Sequence, residues 1–102
     1  MNRQELTYQV KKSVRSVDPK ARVILFGSRA RGDSKLSSDW DFLILTSLQA
    51  NEQLKRQIRT GLIDTELEAE EVISTIIFSQ DQWMKYLVTP LYKNISKEGV
   101  EL

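Results

Sequence analysis

The chain has 102 residues, 40% of them hydrophobic and 28% charged, with a formal net charge of +1. That length allows a single domain over residues 1–102, with a modest core and no room for a separate substrate domain. With no cysteine and no histidine, disulfides, thiolate nucleophiles, histidine bases and histidine-bound zinc are excluded, and any metal must be held by oxygen: magnesium, manganese or calcium.

The N-terminus lacks the apolar stretch of a signal peptide and no apolar run approaches a membrane span, so the expected location is cytoplasmic. Residues 3–16 read as an amphipathic helix, with Leu6, Val10 and Val14 at four-residue spacing, and Asp18-Pro19 stops it. Ala21 to Phe26 is a short apolar strand ending at Gly27. Residues 28–38 form a loop carrying one helical turn at Ser28–Arg31, and a second strand runs from Asp39 to Leu45. A helix from Asn51 to about Leu67 buries Leu54, Ile58 and Leu62, weakened by Gly61. Val72 to Phe78 is β-branched and nearly all apolar, which predicts a strand buried on both faces. Ser79 then caps a helix through Trp83 and Tyr86. Thr89-Pro90 opens a last helix that turns Leu91 and Ile95 inward and ends at Gly99. The order α-β-β-α-β-α-α predicts an α/β (α+β) fold, a small mixed sheet covered by helices. Trp40 and Phe42 are expected in the core. Trp83, Tyr86 and Tyr92 lie at helical spacings as packing residues, and Asp33 as a turn-former.

Charge is distributed unevenly. The first 35 residues carry nine Lys/Arg against three Asp/Glu, and the remaining 67 carry six against eleven. Lys11, Lys12, Arg15 and Lys20 read as the solvated face of a helix and its end. Arg29 and Arg31 stand beside Gly27-Ser28, where an anionic substrate would sit.

The chemistry concentrates in two segments, Gly27-Ser28 and Asp39-Trp40-Asp41. Side chains alternate along a strand, so Asp39 and Asp41 project to one side and Trp40 and Phe42 to the other. Two adjacent carboxylates repel unless a cation is shared, and an oxygen-only site of this kind suits magnesium together with substrate phosphates. Gly27 allows close backbone approach. The Ser28 hydroxyl and nearby amides can donate to phosphate oxygens, and Arg29 or Arg31 can neutralise polyphosphate charge.

Gly27-Ser28-Arg29-Ala30-Arg31-Gly32-Asp33 followed by Ser38-Asp39-Trp40-Asp41-Phe42-Leu43 closely resembles the signature of the minimal nucleotidyltransferases of the DNA polymerase β superfamily. Ser79 with Trp83, Thr89-Pro90-Leu91-Tyr92-Lys93-Asn94-Ile95 and Lys97-Glu98-Gly99-Val100 resemble that family's closing segment. The resemblance implies a nucleotidyltransferase fold and a magnesium- or manganese-dependent transfer of a nucleoside monophosphate from an NTP to a hydroxyl, with release of pyrophosphate. It implies that Gly27 and Ser28 hold the triphosphate and that Asp39 and Asp41 are the catalytic metal ligands; Arg29 and Arg31, by their charge beside the turn, are expected to bind nucleotide with them.

The resemblance also implies a third carboxylate on the next strand. Alignment on Ser79 and Trp83 puts Ser74 there, and a neutral serine is no base at pH 7. Three readings follow. One is a slow or specialised nucleotidyltransferase. The second is a weak or inactive homologue that binds nucleotide or metal, acting as an antitoxin-like subunit with a small helical HEPN-type partner, or associating with itself. The third is a nucleic-acid binder using the basic N-terminal half, disfavoured because Tyr8 is the only aromatic before Phe26.

Overall fold

The computed structural model describes all 102 residues. Helix α1 covers Arg3–Val17, and Asn2 and Glu5 cap each other's backbone N–H groups at its start. Strand β1 (Arg22–Phe26) leads through Gly27 into the short helix α2 (Ser28–Arg31), and β2 spans Trp40–Thr46. Helix α3 (Glu52–Ala69) is capped by the Asn51 side chain, which accepts from Leu54 N–H. Strand β3 (Ile73–Ser79) runs into α4 (Gln80–Met84), with Ser79 as its cap. Thr89 and Pro90 start α5 (Pro90–Glu98), and Gly99 turns it into a two-residue strand β4 (Val100–Glu101).

The sheet order is β3-β2-β1-β4. β1 pairs antiparallel with both β2 and β4, and β2 pairs parallel with β3, so the sheet is mixed as expected. One face packs Leu25, Trp40, Phe42 and Ile44 against Leu6, Val10 and Val14 of α1 and Leu54, Ile58 and Leu62 of α3. The other packs Ile24, Leu43 and Leu45 under Trp83 and Ile95, where Trp83 stacks on Tyr92 with ring centroids 4.9 Å apart. No helix is long and apolar enough to cross a membrane.

Three expectations need correcting. Val72–Phe78 is not a strand buried on both faces. β3 lies at the sheet's edge, and only Ile77 of its residues is buried; a β-branched apolar run suits an edge that helices cover in part as well as a central strand. Strand β4 is also absent from the expected order, because two exposed residues carry no periodic pattern. The second strand begins one residue later than expected, leaving Asp39 in the loop just before it.

Candidate active site

β1 and β2 are antiparallel, with Phe26 opposite Asp41. The end of β1, where the chain turns at Gly27, is therefore beside the start of β2, where the aspartates are. Gly27 has φ +77°, and a Cβ there would collide with Asp41 Oδ2. Glycine is needed on both counts: the left-handed backbone and the carboxylate packed against it.

Trp40 and Phe42 are buried in the α1/α3 core, which sends Asp41 to the opposite face. Asp41 is half-buried and Asp39 exposed. Burial raises the Asp41 pKa, the neighbouring Asp39 and Glu98 carboxylates raise it further, and Arg31 opposes them. Like charges crowded this way are relieved by a cation. The oxygen-only donor set of Asp39 and Asp41 fits a hard divalent ion completed by water and phosphate oxygens. No three acidic side chains are grouped closely enough to cage a metal by themselves.

Ser74 stands opposite Asp41 in the parallel β2–β3 register, and its hydroxyl donates to Asp39 Oδ2 at 3.4 Å. The strand alignment thus puts a serine, not a carboxylate, beside the two aspartates. Glu70 and Glu71 do not replace it. Glu70 is the left-handed C-cap of α3, and Glu71 lies 3.6 Å from the Arg29 guanidinium.

The two arginines diverge. Arg31 Nη1 lies 2.9 Å from Glu98 Oε2, and its Nε is 3.2 Å from Asp33 Oδ2. The Arg29 side chain, 13% exposed, turns away from Gly27 and into the loop. It donates to the carbonyls of Ser38 at 3.0 Å and Leu36 at 3.4 Å and lies over the Trp40 ring, 4.6 Å from its centroid. Arg29 therefore holds the loop that delivers Asp39, while Arg31 faces the turn. Within the loop, Lys35 N–H donates to Ser38 Oγ at 2.9 Å and Ser38 N–H to the Lys35 carbonyl at 3.0 Å.

Glu98 was not singled out from the sequence. It closes α5, and its Oε1 accepts from Gly27 N–H at 3.2 Å. Gly99 lets the chain pass tightly against Ile95 and Ile24, and β4 then pairs with β1, which fixes the end of α5 over the turn. The only sequence signal was Glu98-Gly99 within the closing segment.

A glycine-serine turn at the end of one strand, facing paired carboxylates at the start of its neighbour on a mixed sheet, defines the nucleotidyltransferase class. The nucleotidyltransferase domain family model matches residues 8–100, and the chain belongs to that family as a domain of the minimal type. Among curated relatives, "Putative protein adenylyltransferase MJ0141" of Methanocaldococcus jannaschii is 33% identical over 100 residues, covering 96% of each chain. Among solved structures, the chain is similar in fold to one described as "Crystal structure of the toxin-antitoxin with AMP-PNP". That likeness has a TM-score of 0.67 at 18% identity and covers 92% of this chain and 69% of the other.

Proposed function

We propose that the chain transfers a nucleoside monophosphate, AMP by analogy with the archaeal relative, from an NTP to a hydroxyl on a protein. The observation that carries this reading is the approach of Asp41 to the Gly27 turn, which brings a carboxylate pair and a backbone amide cradle to one point. Gly27 N–H, the Ser28 hydroxyl and the Arg31 guanidinium hold the terminal phosphates. Asp39 and Asp41 would hold magnesium or manganese, which supplies polarisation of the α-phosphoryl group and neutralises charge on the leaving pyrophosphate. Arg29 acts by positioning the Asp39 loop.

In the transfer, the acceptor oxygen bonds to the α-phosphorus and the bond from that phosphorus to the bridging oxygen breaks, releasing pyrophosphate. The hydroxyl proton goes to Asp39 Oδ2, the oxygen that already accepts from the Ser74 hydroxyl. The test is transfer of label from α-labelled ATP to protein in a cell extract. It should require magnesium and be abolished by Asp39→Ala or Asp41→Ala.

A second reading has its own support. In it, Ser74 stands where a base would and Glu98 occupies the Gly27 amide; loss of a positioned base alone costs about 10²–10⁴-fold in rate. In that reading the chain is a nucleotide- and metal-binding, antitoxin-like subunit with a HEPN-type partner. Magnesium-dependent ATP binding without modification of any protein would favour it.

A further inference from the structure

β3 ends the sheet, so its outer backbone groups have no strand partner. Ile73 identifies which residues point outward, because its N–H bonds Glu66 Oε2 at 3.3 Å rather than β2. By alternation, Thr75 and Ile77 offer their N–H and C=O groups on the same outer side.

Beside this edge runs a cleft of about 540 Å³ between β3 and α3, floored by Ile73 and Thr75 and reaching Ser74. Its α3 wall is a stripe at helical spacing that includes Glu52, Arg56, Arg59, Ile63 and Glu66; Glu52 is paired with Lys55 and Glu66 with Ile73 N–H. Arg56 and Arg59 are exposed, and neither takes part in an ion pair of the chain. The cleft therefore combines an open strand edge, an apolar contact at Ile63 and two free guanidinium groups suited to carboxylates. Ser74 lines the cleft, and its hydroxyl, on the sheet face away from α3, donates to Asp39.

We propose that the β3–α3 cleft seats the acceptor, an extended acidic polypeptide segment that adds to the β3 edge as a further strand. An added strand alternates its side chains as β3 does. The residue beside Ser74 then faces Asp39, and its immediate neighbours face α3. Arg59 and Arg56 lie seven and ten residues along α3 from Glu66, about 10 and 15 Å. At about 3.3 Å per strand residue, Arg59 and Arg56 stand about three and four to five residues beyond Ile73, whose N–H Glu66 accepts, hence about two to four beyond the residue beside Ser74. An acidic side chain three residues from the hydroxyl, an odd offset that points it to α3, falls between them. The acceptor hydroxyl rests on the nucleotidyl-transfer reading; the seat itself does not.

The test is fluorescence anisotropy without nucleotide, using a short labelled peptide of alternating glutamate and threonine around one tyrosine. Its lysine counterpart, a backbone N-methylated glutamate version and a labelled oligouridylate serve as comparators. The glutamate peptide should bind at least about tenfold tighter than the lysine peptide at low salt. N-methylation on the pairing side should weaken it several-fold, because strand addition uses backbone N–H groups. Arg56→Glu/Arg59→Glu, with its melting temperature checked, should reverse the preference toward lysine.

Absence of binding, equal binding of both charges, or indifference to either the double substitution or N-methylation would overturn the proposal. So would tighter binding of oligouridylate through the same arginines. Calorimetry of magnesium-ATP on the same preparation separates the two readings. Its failure would remove the nucleotidyl-transfer reading and leave the strand-addition result standing.

Discussion

Glu98 and Gly27 meet across 71 residues of sequence: the Glu98 carboxylate accepts from the Gly27 amide at 3.2 Å while also lying 2.9 Å from Arg31. A carboxylate thus takes two of the donors proposed for a terminal phosphate, and nucleotide must displace it. Glu98→Gln keeps the shape and an acceptor oxygen but removes the charge. Magnesium-ATP affinity by calorimetry should rise about three- to tenfold; a loss of affinity would show that the carboxylate aids binding.

Gly27→Ala tests the backbone of the turn. The substitution meets both a φ of +77° and Asp41 Oδ2. The strained backbone alone costs about 1–3 kcal/mol, and relief of the clash requires Asp41 to move. Urea unfolding should show that loss of stability, and the surviving folded protein should bind ATP poorly.

Ser74→Asp restores a third carboxylate at the position opposite Asp41. Without metal, a further negative charge beside Asp39 and Asp41 should lower the melting temperature, and magnesium should recover it. If the missing carboxylate limits turnover, the rate of label transfer should rise by about 10²-fold or more. An unchanged rate would mean that Asp39 alone suffices to accept the proton.

Much of the fold was legible because local chemistry states it. The Leu6, Val10, Val14 stripe and the caps at Ser79 and Thr89 correspond to observed helix faces and starts. The side of Asp41 was legible because strand alternation fixes it once Trp40 and Phe42 enter the core; Asp39, in the loop just before β2, is set by that loop instead. The edge position of β3 was not, since apolar content does not encode strand order. The Glu98–Gly27 contact depends on how α5 docks on the sheet, and the direction of Arg29 on Trp40 and the Ser38 carbonyl. Both are tertiary facts with no sequence period.

Acid stability should depend on Asp18, which is 2% exposed. Its carboxylate accepts from Ser47 N–H at 2.7 Å, Ser47 Oγ at 2.8 Å and Lys20 N–H at 3.1 Å. Burial alone would raise its pKa, but these bonds prevail and hold it below the ordinary carboxylate value. The unfolded chain therefore binds the proton more tightly. The stability from Asp18 is full above the unfolded pKa of about 3.9 and is lost as pH falls through the lower folded value. Asp18→Asn should cost about 1–3 kcal/mol at pH 7 and flatten the stability curve below about pH 4.

Label transfer distinguishes nucleotidyl from phosphoryl chemistry most directly. The chain is incubated with cell extract, magnesium and ATP labelled at either the α- or the γ-phosphate, and protein-bound label is counted. The account predicts that α-label enters protein, γ-label does not, and both chelation of magnesium and Asp41→Ala abolish the signal. Transfer of the γ-label, or α-label transfer that survives Asp41→Ala, would contradict it.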